Sequence, residues 1–514
     1  MMLRLFLSAF SGILFTLSLP NDFFLQGNPW IGIFCLSPLF LAFFLSNSLK
    51  EAVLSSLTFG GVFTLLSNYW LAFFKDYAYL TLGSVTIAYC GVYALWGTLF
   101  WRFSRPGPYR PLQMAGIWCI FEFFKSIGYL GYPWGLIVYP FNNLLPLLQI
   151  ADLGGIWPIS FWGALGNATI AELFLRSKDR IRYGATFLGL SIIFIGYGAV
   201  RMSTPIPELD RLGTILVQHN RDPWETRKEI ENLRTLQRLT RQGIEQSGGK
   251  VDLVVWSESS LPRPFRESRQ YYQRVPPEEP FLEFLRKSNT YFLVGNPVVK
   301  NKEQREVQNG VVLLTPEGSI VDTYGKRHPV PFAEHIPFYE YAWVQNFFRR
   351  VIGLEGIWAL GDTDTIFKVR GRGGSEICFG VPICFEDAFP YICRKFIRQG
   401  ADLLINITND AWSRRKSAEV QHFVVARFRS IEMKRVLLRA TNGGVTGAIG
   451  PFGEILSQAP LFEETYLALE VPVFKENHLT FYTQMGDWFP LLLSILLLGV
   501  LMKSLIRGEA EFSL

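Results

Sequence analysis

The chain has 514 residues, room for two or three domains. It is 49% apolar, 15% aromatic and only 18% charged, with a mean hydropathy of +0.19, too apolar for one soluble enzyme and too polar for a pure membrane bundle. The six cysteines show no paired metal-ligand spacing, and three lie in apolar segments, which argues against a disulfide framework; the net charge of +6 follows membrane topology rather than nucleic-acid binding.

From Leu3 to about Val200, apolar stretches of near-membrane length recur at roughly 3–19, 29–46, 52–74, 79–101, 111–127, 155–175 and 183–200. Arg4 before an apolar run resembles a signal peptide. No small-x-small site follows at Leu19-Pro20-Asn21-Asp22, so a retained helix is expected. An eighth stretch runs from Trp488 to Ile506, with Trp488 and Lys503 placed like interface anchors. The expected architecture is therefore a multi-pass helical membrane domain of about eight spans carrying a soluble domain.

Lysine and arginine orient these spans. With the N-terminus inside, the inner segments carry Arg4, Lys50, Arg102, Arg105, Arg110, Arg176, Lys178, Arg180, Arg182, Lys503 and Arg507, whereas the outer short connections carry Lys75 and Lys125. The long segment between spans seven and eight is then expected on the outer face. This divides the chain into 1–204, 205–480 and 481–514. Glu122 has Lys125 three residues on and Glu172 has Arg176 four on, so each acid is expected to pair along its own helix. The stretch 128–154 is apolar but interrupted by Pro133, Pro140 and Pro146. It reads as an outer or re-entrant loop beneath the soluble domain, or as a simple connector.

The outer segment alternates strands and helices. Strands are expected at Thr214–Gln218, 251–256, 291–295, 310–315, 319–324, 365–369, 377–383, 402–407, 436–441, 445–449 and 466–471. Helices are expected at Glu225–Gln246, 280–288, about 389–399 and 418–434, which makes an α/β sandwich on a mixed sheet.

Three residues stand where strands end: Glu258 after Val251–Trp256, Lys326 after 319–324, and Cys384 after Ile377–Ile383. Each alone has a bland reading, as a solvated carboxylate, an exposed ammonium or a small buried hydrophobe. Together they suit acyl transfer through a thioester. A carboxylate in an apolar site takes the thiol proton, and a fixed ammonium stabilises the oxyanion that follows. Trp256, Phe332, Phe385, Phe389 and the stretch 128–154 are expected to wall such a site. The cluster Arg414-Arg415-Lys416 reads either as a solvated loop or as a contact with anionic headgroups.

WSES around Glu258, YGKRHPVPFAEHIP around Lys326 and GVPICFED around Cys384 resemble the motifs of the nitrilase superfamily of carbon–nitrogen hydrolases. With the flanking spans, NDAW at 409–412 and LLRATNGGVTGAIGPFG at 437–453, the whole chain is similar to the apolipoprotein N-acyltransferase family. The resemblance implies a nitrilase-like αββα sandwich, with Glu258 as general base, Lys326 as oxyanion stabiliser, Cys384 as nucleophile, and Glu334 and Glu386 in support. It also implies an acyl chain taken from a phospholipid, usually phosphatidylethanolamine, and delivered to the α-amino group of a lipoprotein's diacylglyceryl-cysteine. No cofactor or metal is implied, and the setting is a bacterial inner membrane with the catalytic domain on the periplasmic side. A membrane-tethered amidase using water is the alternative within the superfamily; a transport or scaffold protein is the alternative outside it. Phe385 stands where the family often has Tyr, Ala333 where Gly is common, and Ser413-Arg414-Arg415-Lys416 replaces an aromatic-glycine pair.

Overall fold

The computed structural model describes residues 1–514 apart from 76–77, 224, 226–227, 352–357, 476–477 and 507–514. Arg507, assigned above to the inner face, lies outside the described residues. Helices occupy all the apolar stretches: Met2–Ser18, Pro29–Gly32 with Ser37–Phe44, Leu49–Ser67, Ala78–Phe103, Arg110–Ser126, Trp157–Phe174, Arg180–Ser203 and Trp488–Ile506. Three of them, Leu49–Ser67, Ala78–Phe103 and Arg180–Ser203, are long and apolar enough to cross a membrane by length and composition.

The second stretch is broken rather than continuous. Pro38 cannot supply the N–H that an unbroken helix needs at that point. Asn167, on a neighbouring helix, instead accepts from the N–H groups of Leu36 (2.7 Å) and Ser37 (3.1 Å). The two acids also find other partners than their helix neighbours. Glu172 forms a buried bidentate pair with Arg110, at 2.5 and 2.7 Å. Glu122 accepts from Trp118 Nε1, the N–H of Ile137 and the Ser160 hydroxyl, while Lys125 donates to the carbonyl of Trp134. A buried charge needs several polar partners, so Glu172 pairs across the bundle and Glu122 adds Ile137 and Ser160 to the Trp118 of its own helix.

Among the described residues the α/β part contains twelve strands: β1 (Glu208–Gln218), β2 (Leu253–Trp256), β3 (Tyr291–Asn301), β4 (Glu306–Leu314), β5 (Ile320–Gly325), β6 (Phe367–Arg370), β7 (Glu376–Gly380), β8 (Leu403–Thr408), β9 (Val436–Thr441), β10 (Gly447–Ile449), β11 (Ile455–Gln458) and β12 (Thr465–Phe474). They form two mixed six-stranded sheets, ordered β12-β1-β2-β3-β4-β5 and β11-β10-β9-β8-β7-β6. Side chains alternate faces along each strand of the first sheet. Leu216, Leu253, Val255, Leu293, Val311 and Leu313 join the core shared with the second sheet. Ile215, Val217, Val254, Trp256, Phe292, Val294, Val312 and Leu314 face the helices Glu229–Gln246 and Phe281–Ser288. Helices Pro390–Arg398 and Lys416–Met433 cover the other sheet, giving an αββα sandwich.

Trp256 thus belongs to the outer layer, with its indole N–H on Thr240 Oγ1 at 3.0 Å, and does not wall the site as expected. The strand before Cys384 is also shorter than its apolar run. It ends at Gly380, because Pro382 has no N–H for the ladder, and Ile383 keeps only an isolated bridge to Ile407. β1 starts at Glu208 rather than Thr214, since antiparallel pairing with β12 extends it. The helix before β2 begins at Glu229, and β11 and the helix Ala342–Val351 were not expected from periodicity.

The helical bundle and the sandwich meet along the helix Lys416–Met433, which is buried almost throughout. Gln421 donates to the carbonyl of Pro20 (2.9 Å) and accepts from Trp70 Nε1 (3.1 Å), and Lys434 reaches Gln149 Oε1 (2.6 Å). The stretch 128–154 forms short turns, Tyr139–Phe141, Leu145–Leu148 and Ala151–Gly154, wedged into this junction.

Candidate active site

Glu258, Lys326 and Cys384 converge at one end of the two sheets. Glu258 lies two residues beyond β2 and Lys326 immediately beyond β5, so both are carried by the first sheet. A side chain at Gly295 would meet the backbone of Ser257–Ser259 at 2.4 to 2.7 Å, so only glycine lets β3 approach the Glu258 loop this closely. Cys384 comes from the second sheet, on the turn after β7, with φ at +51°. A left-handed conformation costs a non-glycine residue about 1–2 kcal/mol. It turns the half-buried thiol out of the line of the strand.

The Lys326 ammonium lies 3.4 Å from Glu258 Oε1 and 2.8 Å from the Glu334 carboxylate. Asn309, on β4 between them, donates Nδ2 to Glu258 (2.7 Å) and to Glu334 (3.1 Å). The other Glu258 oxygen accepts the N–H of Asn409 at 2.8 Å, and Glu334 accepts that of Val330 at 2.7 Å. Burial pushes Glu258 above the usual carboxylate range, opposed by the Lys326 charge. For Lys326 itself burial pushes down, and the carboxylates of Glu258 and Glu334 more than reverse it, so the ammonium stays charged. Burial, with Glu258 adding to it, lifts the Cys384 thiol well above its ordinary value, and Lys326 pulls the other way. Burial therefore disfavours the charged forms of Cys384 and Glu258, while the ammonium beside them is held charged.

Glu386 is fully buried and joins two loops. Its oxygens accept from the N–H groups of Ile383 (2.8 Å), Arg327 (2.6 Å) and His328 (3.0 Å), and from the Tyr324 hydroxyl (3.0 Å). Burial raises it to about 7, against those donors. It ties the turn that carries Cys384 to the loop that follows Lys326.

Several residues here had no sequence signal of their own. Asn309 is one, being a polar residue in the middle of a strand. A second group lies behind Cys384: His422 bonds Asp410 through Nδ1 (2.8 Å) and Asp387 through Nε2 (2.9 Å), and Arg439 pairs with both acids. Trp134 is the third. Its ring stacks on Phe385 with centroids 5.4 Å apart and lies 5.5 Å from the His422 ring. Phe389 packs on His328 at 3.8 Å. Phe332 is half exposed and stacks on Phe348. In the basic cluster, the Arg415 guanidinium lies 3.6 Å from the Phe73 ring centroid and Arg414 donates to Asn220 Oδ1 (3.1 Å), so two of its three members hold protein partners.

Residues 11–169 match the family model for the apolipoprotein N-acyltransferase N-terminal domain, and residues 216–473 match that for carbon–nitrogen hydrolases. Over most of its length the chain is similar to "Apolipoprotein N-acyltransferase 2" of Treponema denticola, 38% identical over 96% of this chain and 97% of that one. The chain belongs to the apolipoprotein N-acyltransferase family. Other apolipoprotein N-acyltransferases are similar at comparable coverage: that of Borreliella burgdorferi is 32% identical over 94% of this chain and 92% of its own. Among solved structures, a carbon–nitrogen hydrolase from Helicobacter pylori G27 aligns with a TM-score of 0.37 at 17% identity, covering 51% of this chain and 89% of that one. The carbon–nitrogen hydrolase match spans the twelve described strands almost end to end, so the candidate site lies within the nitrilase-like sandwich.

Proposed function

We propose that this protein moves a fatty acyl chain from a phospholipid, via a thioester on Cys384, to the α-amino group of a diacylglyceryl-cysteine at a lipoprotein N-terminus. Glu258 takes the thiol proton as sulfur attacks the ester carbonyl, and Lys326 stabilises the oxyanion. The intermediate collapses, Glu258 returns the proton to the departing glycerol oxygen, and lysophospholipid leaves. The lipoprotein amine then attacks the thioester and Glu258 takes a proton from it. Loss of the thiolate gives the amide, and the proton goes back to sulfur. Glu334 holds the Lys326 ammonium, and Glu386 holds the nucleophile turn against the Lys326 loop. Phosphatidylethanolamine is the proposed donor.

The observation that carries this reading is the convergence of Glu258, Lys326 and the Cys384 turn directly against an aromatic wall donated by the helical bundle. A thioester held there is shielded from bulk water and faces the side from which lipids arrive. About eight spans, with domains at 1–204, 205–480 and 481–514, complete the proposal. In support of a periplasmic catalytic domain, the bundle end rich in Arg4, Arg110 and their partners is the one away from the sandwich.

The test is direct. Purified protein incubated with phospholipid alone should gain the mass of one acyl chain on Cys384 and keep it. A diacylglyceryl-cysteine peptide with a free amine should discharge it into amide, and the N-acetylated peptide should not. Rapid release of free fatty acid without peptide would replace the transferase by a hydrolase.

A further inference from the structure

The loop after the helix Arg110–Ser126 is clamped from within the bundle. Lys125 donates to the carbonyl of Trp134, and its own carbonyl accepts the N–H of Tyr132 at 2.9 Å. Glu122 accepts the N–H of Ile137 at 2.8 Å, and its second oxygen takes the Ser160 hydroxyl. Between these clamps stands Trp134, its ring stacked on Tyr132 at 5.3 Å and on Phe385, the neighbour of Cys384.

The Trp134 side chain is 6% exposed, and among the described residues its indole N–H finds no acceptor. Buried indole donors ordinarily have one. The clamps and the two stacked rings leave this ring no freedom to turn towards another. Two small cavities meet at it. One lies against Leu19, Pro20, Gln421 and Val424, and the other against Asn68, Tyr89, Lys125 and Tyr132. The donor therefore stands where two mainly apolar spaces meet, one of them also edged by Asn68 and Lys125, beside the nucleophile turn.

We propose that Trp134 donates its indole N–H to an acyl-ester oxygen of a bound glycerolipid, and that Glu122 and Lys125 are positioning residues that hold it there. The proposal rests on the acyl-transfer reading. An ester carbonyl is a neutral acceptor and brings its own apolar chains, which matches a neutral donor set among rings. A phosphate would call for an uncompensated cation, whereas the Lys125 ammonium bonds the loop carbonyl and already has the Glu122 charge one turn back on its helix. The ester belongs either to the phospholipid, at the glycerol position that is not transferred, or to the diacylglyceryl group of the acceptor.

The experiment separates these sources on the full-length protein. Acylation is measured with phospholipids carrying an ester or an ether at the non-transferred position. Transfer from the acyl-enzyme is measured with diacylglyceryl- or dialkylglyceryl-cysteine peptides. In one half-reaction, ether replacement should raise the wild-type KM by about three- to tenfold, the worth of one neutral hydrogen bond. Trp134→Phe, which keeps a stacking ring and loses the N–H, should no longer discriminate, and the half-reaction affected identifies the source. Lys125→Arg should keep the discrimination and Lys125→Met should lose it. Equal KM for ester and ether substrates in both half-reactions of the wild type overturns the proposal, even if Trp134→Phe does not fold. So does discrimination that persists in folded Trp134→Phe. If the wild type neither gains an acyl chain from phospholipid nor passes one on, the acyl-transfer reading falls first.

Discussion

Trp134, from the helical bundle, stacks on Phe385, the residue next to Cys384, with ring planes 20° apart. One wall of the site is thus supplied by a different part of the chain from the one that supplies the thiol. Phe385→Ala should remove that wall and let water reach the thioester. The expected result is a two- to tenfold loss in transfer, about the worth of an aromatic pair, with a matching rise in free fatty acid. Phe385→Tyr should behave like the wild type. Chromatographic measurement of amide and fatty acid from one acyl-enzyme preparation checks both.

Cys384→Ala should abolish acyl-enzyme formation in protein that still folds, because no other thiol shares the site. Cys393 is buried in the apolar core and Cys378 sits on β7, and neither is placed to react. Cys393→Ala should cost about 1 kcal/mol of stability through a lost core sulfur, and Cys378→Ala less, both with activity retained. Turnover above a few percent in Cys384→Ala, or its loss in folded Cys393→Ala, would move the nucleophile elsewhere.

Asn309 is the shared donor of two carboxylates. Hydrogen bonds to a carboxylate favour its charged form, so Asn309→Leu should raise the pKa of Glu258 further. The acid limb of the pH–rate profile for acylation should move to higher pH. The rate at neutral pH should fall by roughly 10²-fold, the usual scale of general-base catalysis. An unmoved limb would show that Asn309 does not act on Glu258.

His422 couples pH to stability. Burial alone pushes its imidazole down, but the Asp410 and Asp387 carboxylates raise it from 6.5 to about 9. A pKa raised in the folded state stabilises it fully below the unfolded value. The contribution declines above pH 6.5 and is lost once pH passes about 9. Thermal unfolding in detergent should show Tm falling across this interval, and His422→Gln should flatten that slope.

For orientation, a cysteine introduced by Gly249→Cys should react with a membrane-impermeant reagent in intact spheroplasts, and one from Ser177→Cys should stay protected. The reverse pattern would invert the topology.

Much of this protein is determined by local pattern. Apolar runs locate the helices of the bundle, and buried strands that stop just before Glu258 and Lys326 place those residues at the same sheet end. The α/β class follows from strands alternating with amphipathic helices, and the αββα layering from the resemblance to the nitrilase superfamily. Tertiary structure decided what faces what. A continuous apolar run says that a strand is buried on both faces, not which layer each meets, so Trp256 read as a wall of the site although it points to the outer helices. Helical spacing brings Glu122 to Lys125 and Glu172 to Arg176, yet across the packed bundle Glu172 meets Arg110, and Glu122 and Lys125 reach the loop that carries Trp134. Asn309 and His422 are ordinary residues in their own elements. They acquire roles because a buried charge must be satisfied by whatever group the fold places within hydrogen-bond reach, however distant in the chain.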